Sequence, residues 1–255
     1  MKNIEKLMTN EKKISVIIAA AGSGSRFEQD NFTSKQFLLL DEKPLLVHSL
    51  EKFVRIKNIC EIIIVSNDIN LTSELLVKYD FSNKVKIKVV EGSKLRQDSV
   101  YNGFCKVDNS ISLVVIHDVA RPLFKIRDLE KCIEAALVSG AAILAVPVVD
   151  TIKCVKSDKD RLVVKNTLDR ANLYLVQTPQ VFSYRLLSNA YKMLNDPNQV
   201  VTDEASMVEI IGEEVELVFG NRTNIKITYP EDLKIAEAIE QKKSTEKSTN
   251  LFCAI

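Results

Sequence analysis

Ile14-Ser15-Val16-Ile17-Ile18-Ala19-Ala20-Ala21-Gly22-Ser23-Gly24-Ser25-Arg26 is the stretch that decides the fold. Ile14–Ala20 is a continuous apolar run, as in a strand buried on both faces, and it ends in a Gly-Ser-Gly turn. Similar runs recur at Glu61–Ser66, Val85–Val90, Ser112–His117 and Ala142–Val148. Helical periodicity fills the gaps. In Ile126–Ser139, residues Ile126, Leu129, Ile133, Ala136 and Leu137 share a face, and Gly140 offers a C-cap. Ser183–Asn195 places Leu186, Leu187, Ala190, Tyr191 and Leu194 together. This β-α-β alternation predicts an α/β fold with a mostly parallel, twisted sheet between two helical layers.

Residues 150–178 break the alternation. Thr151–Lys156 and Leu162–Leu168 read as strands joined at Ser157–Asp160, a hairpin arm inserted in the domain. A lone hairpin is marginal in water, so the arm should pack on something, such as a second subunit. The last regular element begins at Thr228-Tyr229-Pro230-Glu231, where Thr228 and Glu231 have capping-box spacing. The expected organisation is a flexible segment 1–13, one domain over 14–242 with the arm at about 150–178, and a disordered polar tail at 243–255.

The chain has 255 residues, with 35 Lys plus Arg against 34 Asp plus Glu, a net charge of +1. That balance argues against a nucleic-acid binder, although local cationic clusters can still meet a small anion. No run approaches the length of a membrane span and no signal-peptide pattern opens the chain, so a cytoplasmic protein is expected. The five cysteines are scattered and lack metal-ligand spacing.

Ligands of open α/β sheets sit beyond the carboxyl ends of the strands. The turn at Gly22-Ser23-Gly24 lies at such an end and holds two of only seven glycines. Exposed N–H groups there suit a phosphate, and a plain tight turn is an equal alternative. Neither a dinucleotide fingerprint nor a Walker A loop is present. Arg26 and Lys35 follow in the same loop and suit a polyphosphate, or solvated surface charge. Asp118 ends another strand, where it could bind Mg²⁺ beside a triphosphate or cap the next helix. Arg121 could meet a second anion. His48 and His117 are the only histidines, and both read as structural.

Several short motifs occur in order. They are Ala20-Ala21-Gly22-Ser23-Gly24-Ser25-Arg26, Ser34-Lys35-Gln36-Phe37, Arg96-Gln97-Asp98-Ser99-Val100, His117-Asp118-Val119-Ala120-Arg121-Pro122, Asp150-Thr151, Asp169-Arg170, Gln177-Thr178-Pro179-Gln180, Thr202-Asp203-Glu204-Ala205-Ser206 and Asn224-Ile225-Lys226. With them the chain resembles the 2-C-methyl-D-erythritol 4-phosphate cytidylyltransferases of the non-mevalonate isoprenoid pathway, from about Ile14 to about Glu240. The resemblance implies a Rossmann-like nucleotidyltransferase domain, a homodimer formed through the arm, Mg²⁺, and the joining of CTP to methylerythritol phosphate with release of pyrophosphate.

The resemblance also implies residue roles. Ala20, Ala21, Gly22, Gly24, Arg26, Lys35 and Asp118 would hold CTP, with Gly92, Arg96 and Ser99 around the cytidine. Arg26, Lys35, Arg170 and Lys226 would be catalytic. Asp118 would hold the metal and, with Arg121 and Lys226, the substrate. Thr151, Arg170 and Thr178 would reach into the partner's site. Three features depart from the family pattern: a longer loop from Arg26 to Lys35, Ser34 in place of a Pro, and Ser93 in place of a second Gly after Gly92.

These residue types suit that chemistry. A phosphate monoester has a second pKa near ~6 and is already ionised at neutral pH. It needs no general base. Its difficulty is repulsion by the triphosphate, which cations and alignment relieve. Two other readings remain at this point: a ribitol-5-phosphate cytidylyltransferase, and a non-catalytic nucleotide-binding module.

Overall fold

The computed structural model describes residues 12–22, 34–81, 83–158, 160–193 and 200–252. The chain begins with β1 (Ile14–Ala20). After a 3-10 turn at Lys35–Phe37 comes a small hairpin, β2 (Leu39–Leu40) and β3 (Lys43–Pro44). Then follow α1 (Leu45–Phe53), β4 (Ile59–Ser66), α2 (Ile69–Lys78), β5 (Lys86–Glu91) and α3 (Arg96–Phe104). β6 (Leu113–Asp118), α4 (Ile126–Ser139) and β7 (Ala141–Pro147) precede the arm, formed by β8 (Lys153–Asp158) and β9 (Arg161–Thr167). The chain continues through β10 (Tyr174–Ser183), α5 (Tyr184–Met193), α6 (Glu204–Ile210), β11 (Glu216–Phe219) and α7 (Pro230–Phe252).

The central sheet has the order β11-β7-β10-β6-β1-β4-β5. Only β10 runs antiparallel to its neighbours, β6 and β7. Successive side chains of a strand point to opposite faces, which divides the core in two. Val16, Ile18, Ile62 and Ile64 pack towards Leu46, Phe53 and Leu129. Ile17, Ile63 and Val65 pack towards Val100, Phe104 and Leu187. β5 is only half-buried, contrary to the expectation for its apolar run, because it has a neighbour on one side only.

α4 matches its expected bounds. Leu129, Ile133 and Ala136 are buried at helical spacing, and Gly140 ends the helix with φ 86°. That left-handed geometry is the one glycine adopts without a Cβ penalty. At the start of α7 the capping residue is Asp232, not Glu231: its Oδ2 accepts from the N–H groups of Thr228 and Tyr229, both at 2.8 Å. The helix also continues to Phe252, where the sequence pattern suggested a disordered tail from 243. The segment lacks apolar periodicity, but it contains neither Gly nor Pro to stop a helix. Residues 1–11 and 253–255 lie outside the described residues.

Candidate active site

The ends of β1, β4, β5 and β6 surround a cavity of about 600 Å³. Its floor is built by close approach. Gly92 follows β5, and its N–H donates to the Ser66 carbonyl at 3.1 Å. A Cβ there would lie 2.2 Å from the Ala21 Cβ and 2.5 Å from Asn67 Oδ1. Asn67 in turn donates from Nδ2 to the Ala21 carbonyl at 2.6 Å. Ser99, the second turn of α3, accepts from the Ser93 N–H at 2.8 Å and so ties down the loop before that helix.

Asp118 ends β6 and faces this cavity. Its N–H donates to Thr178 Oγ1 at 3.0 Å, and its carbonyl accepts from the Arg121 N–H at 2.9 Å. The carboxylate does not cap a helix. Arg96 Nε donates to Oδ1 at 2.9 Å and Lys226 Nζ to Oδ2 at 2.7 Å. The Asp118 side chain is 11% exposed and that of Lys226 is 45% exposed, so the lysine has room to turn towards a ligand while the carboxylate is fixed. Burial alone would raise the Asp118 pKa, but the charges of Arg96 and Lys226 hold it well below the usual carboxylate range. Asp118 is therefore an anion at any working pH.

Lys35 lines the same cavity. Its Nζ donates to the carbonyls of Ile227 and Thr228 at 3.4 and 3.3 Å. Its backbone is held from below by buried Gln36, whose Nε2 donates to Ser66 Oγ at 3.4 Å. Two lysines 191 positions apart thus converge on one crevice. His117 is excluded from it. Fully buried, it sits between Ser49 and Thr178, with ring-nitrogen contacts of 3.3 and 3.1 Å, and burial pushes its pKa down to about 3. It is a neutral structural histidine, as its sequence context suggested.

The remaining expected site residues divide into three groups. Ala21, Gly22, Lys35, Arg96, Ser99, Asp118 and Lys226 line one cavity, with Ala20 buried beneath and Gly92 packed against Ala21. Gly24 and Arg26 lie outside the described residues. The others are elsewhere. Arg121 donates to the carbonyls of Asn224 and Val176 at 2.9 and 3.1 Å, bracing β10 against the segment that carries Lys226. Thr151 and Arg170 are exposed at the base of the arm, where Arg170 donates to the Val149 carbonyl of its own chain. Thr178 is not on the arm. It is buried in β10, at a register shift between Gln177 and Gln180, and its hydroxyl supports Asp118 of the same chain.

Three residues at or behind the cavity escaped the sequence reading. Asn67 and Lys94 line the wall without any motif to mark them. Glu204 lies inside a quoted motif but had no role. It is fully buried, and both its oxygens accept from the Arg96 terminal nitrogens at 3.0–3.1 Å. A charge directly after the helix-capping Asp203 was the available signal.

This arrangement can bind a polyanion and place two cations beside a fixed carboxylate. Among the described residues no three metal-ligating side chains cluster. A lone ionised carboxylate is nevertheless a usual Mg²⁺ site when phosphate oxygens and water complete the shell.

Comparison with known proteins is consistent across sequence and structure. The family model for 2-C-methyl-D-erythritol 4-phosphate cytidylyltransferase matches residues 14–242. The enzyme of that name from Clostridioides difficile is 42% identical over 228 residues, covering 88% of this chain and 92% of that one. The one from Alkaliphilus oremlandii is 41% identical over 234 residues, with 91% and 97% covered. The crystal structure of 4-diphosphocytidyl-2C-methyl-D-erythritol synthase from Anaerococcus prevotii superposes with a TM-score of 0.77 at 34% identity, covering 92% and 98%. The cytidylyltransferase from Thermus thermophilus gives 0.71 at 29% identity, covering 90% and 99%.

Proposed function

The chain belongs to the 2-C-methyl-D-erythritol 4-phosphate cytidylyltransferase family and is a nucleotidyltransferase of isoprenoid precursor synthesis; we propose that its transfer takes place in the crevice at the end of β6, on the residues described above. It joins CTP to methylerythritol phosphate, giving the cytidine diphosphate adduct and pyrophosphate. The observation that carries the assignment of the site is the convergence of Lys35, Arg96 and Lys226 around one ionised carboxylate, Asp118.

Ala21 and Gly22 present backbone to the triphosphate, and Lys35 and Arg26 neutralise it as charge develops on the leaving pyrophosphate. The methylerythritol phosphate attacks the α-phosphorus. It arrives ionised, so the crevice needs no base, which agrees with the burial of His117 outside it. Lys226 leaves its contact with Asp118 to hold the incoming phosphate. Asp118 would hold Mg²⁺ together with phosphate oxygens, and the ion would supply further neutralisation of the triphosphate. Gly92 and Ser99 shape the wall towards the base.

The working unit is a homodimer joined through the arm. Val155, Leu162 and Val164 on β8 and β9 are more than half exposed, an apolar surface suited to a second copy. Thr151 and Arg170 at the arm's base would then face the neighbour's crevice. No described helix is long and apolar enough to cross a membrane, and a cytoplasmic setting fits such a substrate pair.

The deciding experiment is pyrophosphate release with each nucleoside triphosphate, with methylerythritol phosphate, with ribitol 5-phosphate and with neither. Release is expected only from CTP with methylerythritol phosphate. Turnover of ribitol 5-phosphate would assign the chain to the sister activity. CTP binding without release would make it a silent module.

A further inference from the structure

Asp118 reaches the cavity at the end of a line of alternating charges that starts deep in the fold. Glu204 opens α6 and is fully buried. Its position is fixed from two sides. Asp203 caps α6 with a reciprocal bond to Ser206, and Gln180 Nε2 donates to Asp203 Oδ2 at 2.7 Å. Both Glu204 oxygens take the terminal nitrogens of Arg96, at 3.0 and 3.1 Å, so only the Nε edge of the guanidinium is turned to Asp118.

A buried ion pair is a poor way to gain stability, because a matched apolar pair does as well or better. Burial pushes the Glu204 pKa up, with Arg96 opposing it, and Arg96 is held above its ordinary value by Asp118 and Glu204 against the effect of its own burial. The arrangement has a different consequence. An arginine prefers to grip a carboxylate with two parallel N–H groups. Glu204 occupies that bidentate edge. Asp118 is left with a single bond from Arg96, and its second oxygen stays turned to Lys226 and the cavity. Glu204 also balances the Arg96 charge, so that Asp118 keeps its net negative field.

We propose that Glu204 is a positioning residue for cytidylyl transfer, which acts by holding the bidentate edge of Arg96 away from Asp118. The proposal rests on the reading of this crevice as the transfer site. Without the Glu204 charge, Arg96 turns its fork onto Asp118 and closes both oxygens to metal and substrate.

The test compares Glu204→Gln, Arg96→Met and the double variant R96M/E204Q with the wild type. Activity is measured as kcat per folded molecule, well below each Tm, with folding followed by near-ultraviolet circular dichroism. E204Q keeps shape and one acceptor. It is expected to fold, to keep the KM for CTP, and to lose ~10–100-fold in kcat, the scale for supporting partners of a metal-binding group. R96M strands a buried carboxylate and should melt lower than E204Q. R96M/E204Q should regain that stability yet turn over no slower than R96M alone, because Glu204 acts only through Arg96. Wild-type kcat in folded E204Q would overturn the proposal, as would a double variant whose loss is the product of the two single losses. A wild-type protein without CTP-dependent pyrophosphate release would instead sink the functional reading beneath it.

Discussion

Replacing Gly92 with Ala inserts one methyl group where three segments meet. Its carbon would lie 2.2 Å from the Ala21 Cβ, and carbon atoms rest at ~3.5–4.0 Å, so the two must separate by about 1.3–1.8 Å. Ala21 has no rotamer to change. Its backbone must move, together with the Asn67 amide that grips its carbonyl. Overpacking of this kind costs ~1–3 kcal/mol, or roughly 2–12 °C in Tm at ~2–4 °C per kcal/mol for a chain of this size. A displacement of about 1 Å in the phosphate-facing backbone should also cost on the order of 10²-fold in kcat/KM. Gly103→Ala is the control. Its methyl would meet Ile17 Cγ2 and Val65 Cγ2 at 2.8 Å, inside an apolar cluster and against side chains that do not line the cavity, so it should lower Tm and leave the KM for CTP alone. Thermal melts and pyrophosphate-release kinetics on both variants decide the matter. If G92A matched the wild type in KM and kcat, or if G103A raised the KM for CTP as much as G92A, the account of the cavity floor would be wrong.

Lys35→Ala should lower kcat by ~10²–10³-fold with a much smaller change in the KM for CTP, since its charge serves the transition state; steady-state kinetics with near-normal kcat would contradict this. Mixing Lys35→Ala subunits with Arg170→Ala subunits should restore one working site per heterodimer if the arm completes the neighbour's crevice, and well-formed heterodimers without recovery would remove Arg170 from catalysis. Burial holds the folded His117 pKa down to about 3, whereas the unfolded imidazole takes its proton near 6.5. The unfolded state therefore binds more protons below that pH, and folding stability should fall by ~1.4 kcal/mol per pH unit on acidification from about pH 6 to pH 4, with no contribution above pH 7. Urea unfolding of the wild type and of His117→Gln across that range measures it, the variant showing the shallower slope. Cys132 is buried and its pKa is pushed up to about 12, so iodoacetamide at pH 8 should label exposed Cys105 and spare Cys132 until the chain is unfolded, as peptide mass mapping would show.

The sequence by itself determined the layers and the location of the site. Strands buried on both faces must be continuous apolar runs, and helices on a sheet must repeat every three to four residues, so β1, β6 and α4 were legible from composition and period alone. The crevice followed, because strand direction places ligands at the carboxyl ends. Pairing across long distances in the chain is another matter. Nothing local says that Arg96 meets Glu204 108 positions later, or that Thr178 leaves the arm and supports Asp118. Those contacts exist because β10 runs antiparallel beside β6 and because the segment entering α6 is tied to α3, where Val201 N–H donates to Gln97 Oε1, geometry fixed only when the whole sheet assembles. Periodicity records which face of an element is buried, and tertiary packing alone chooses the charged partner it meets there.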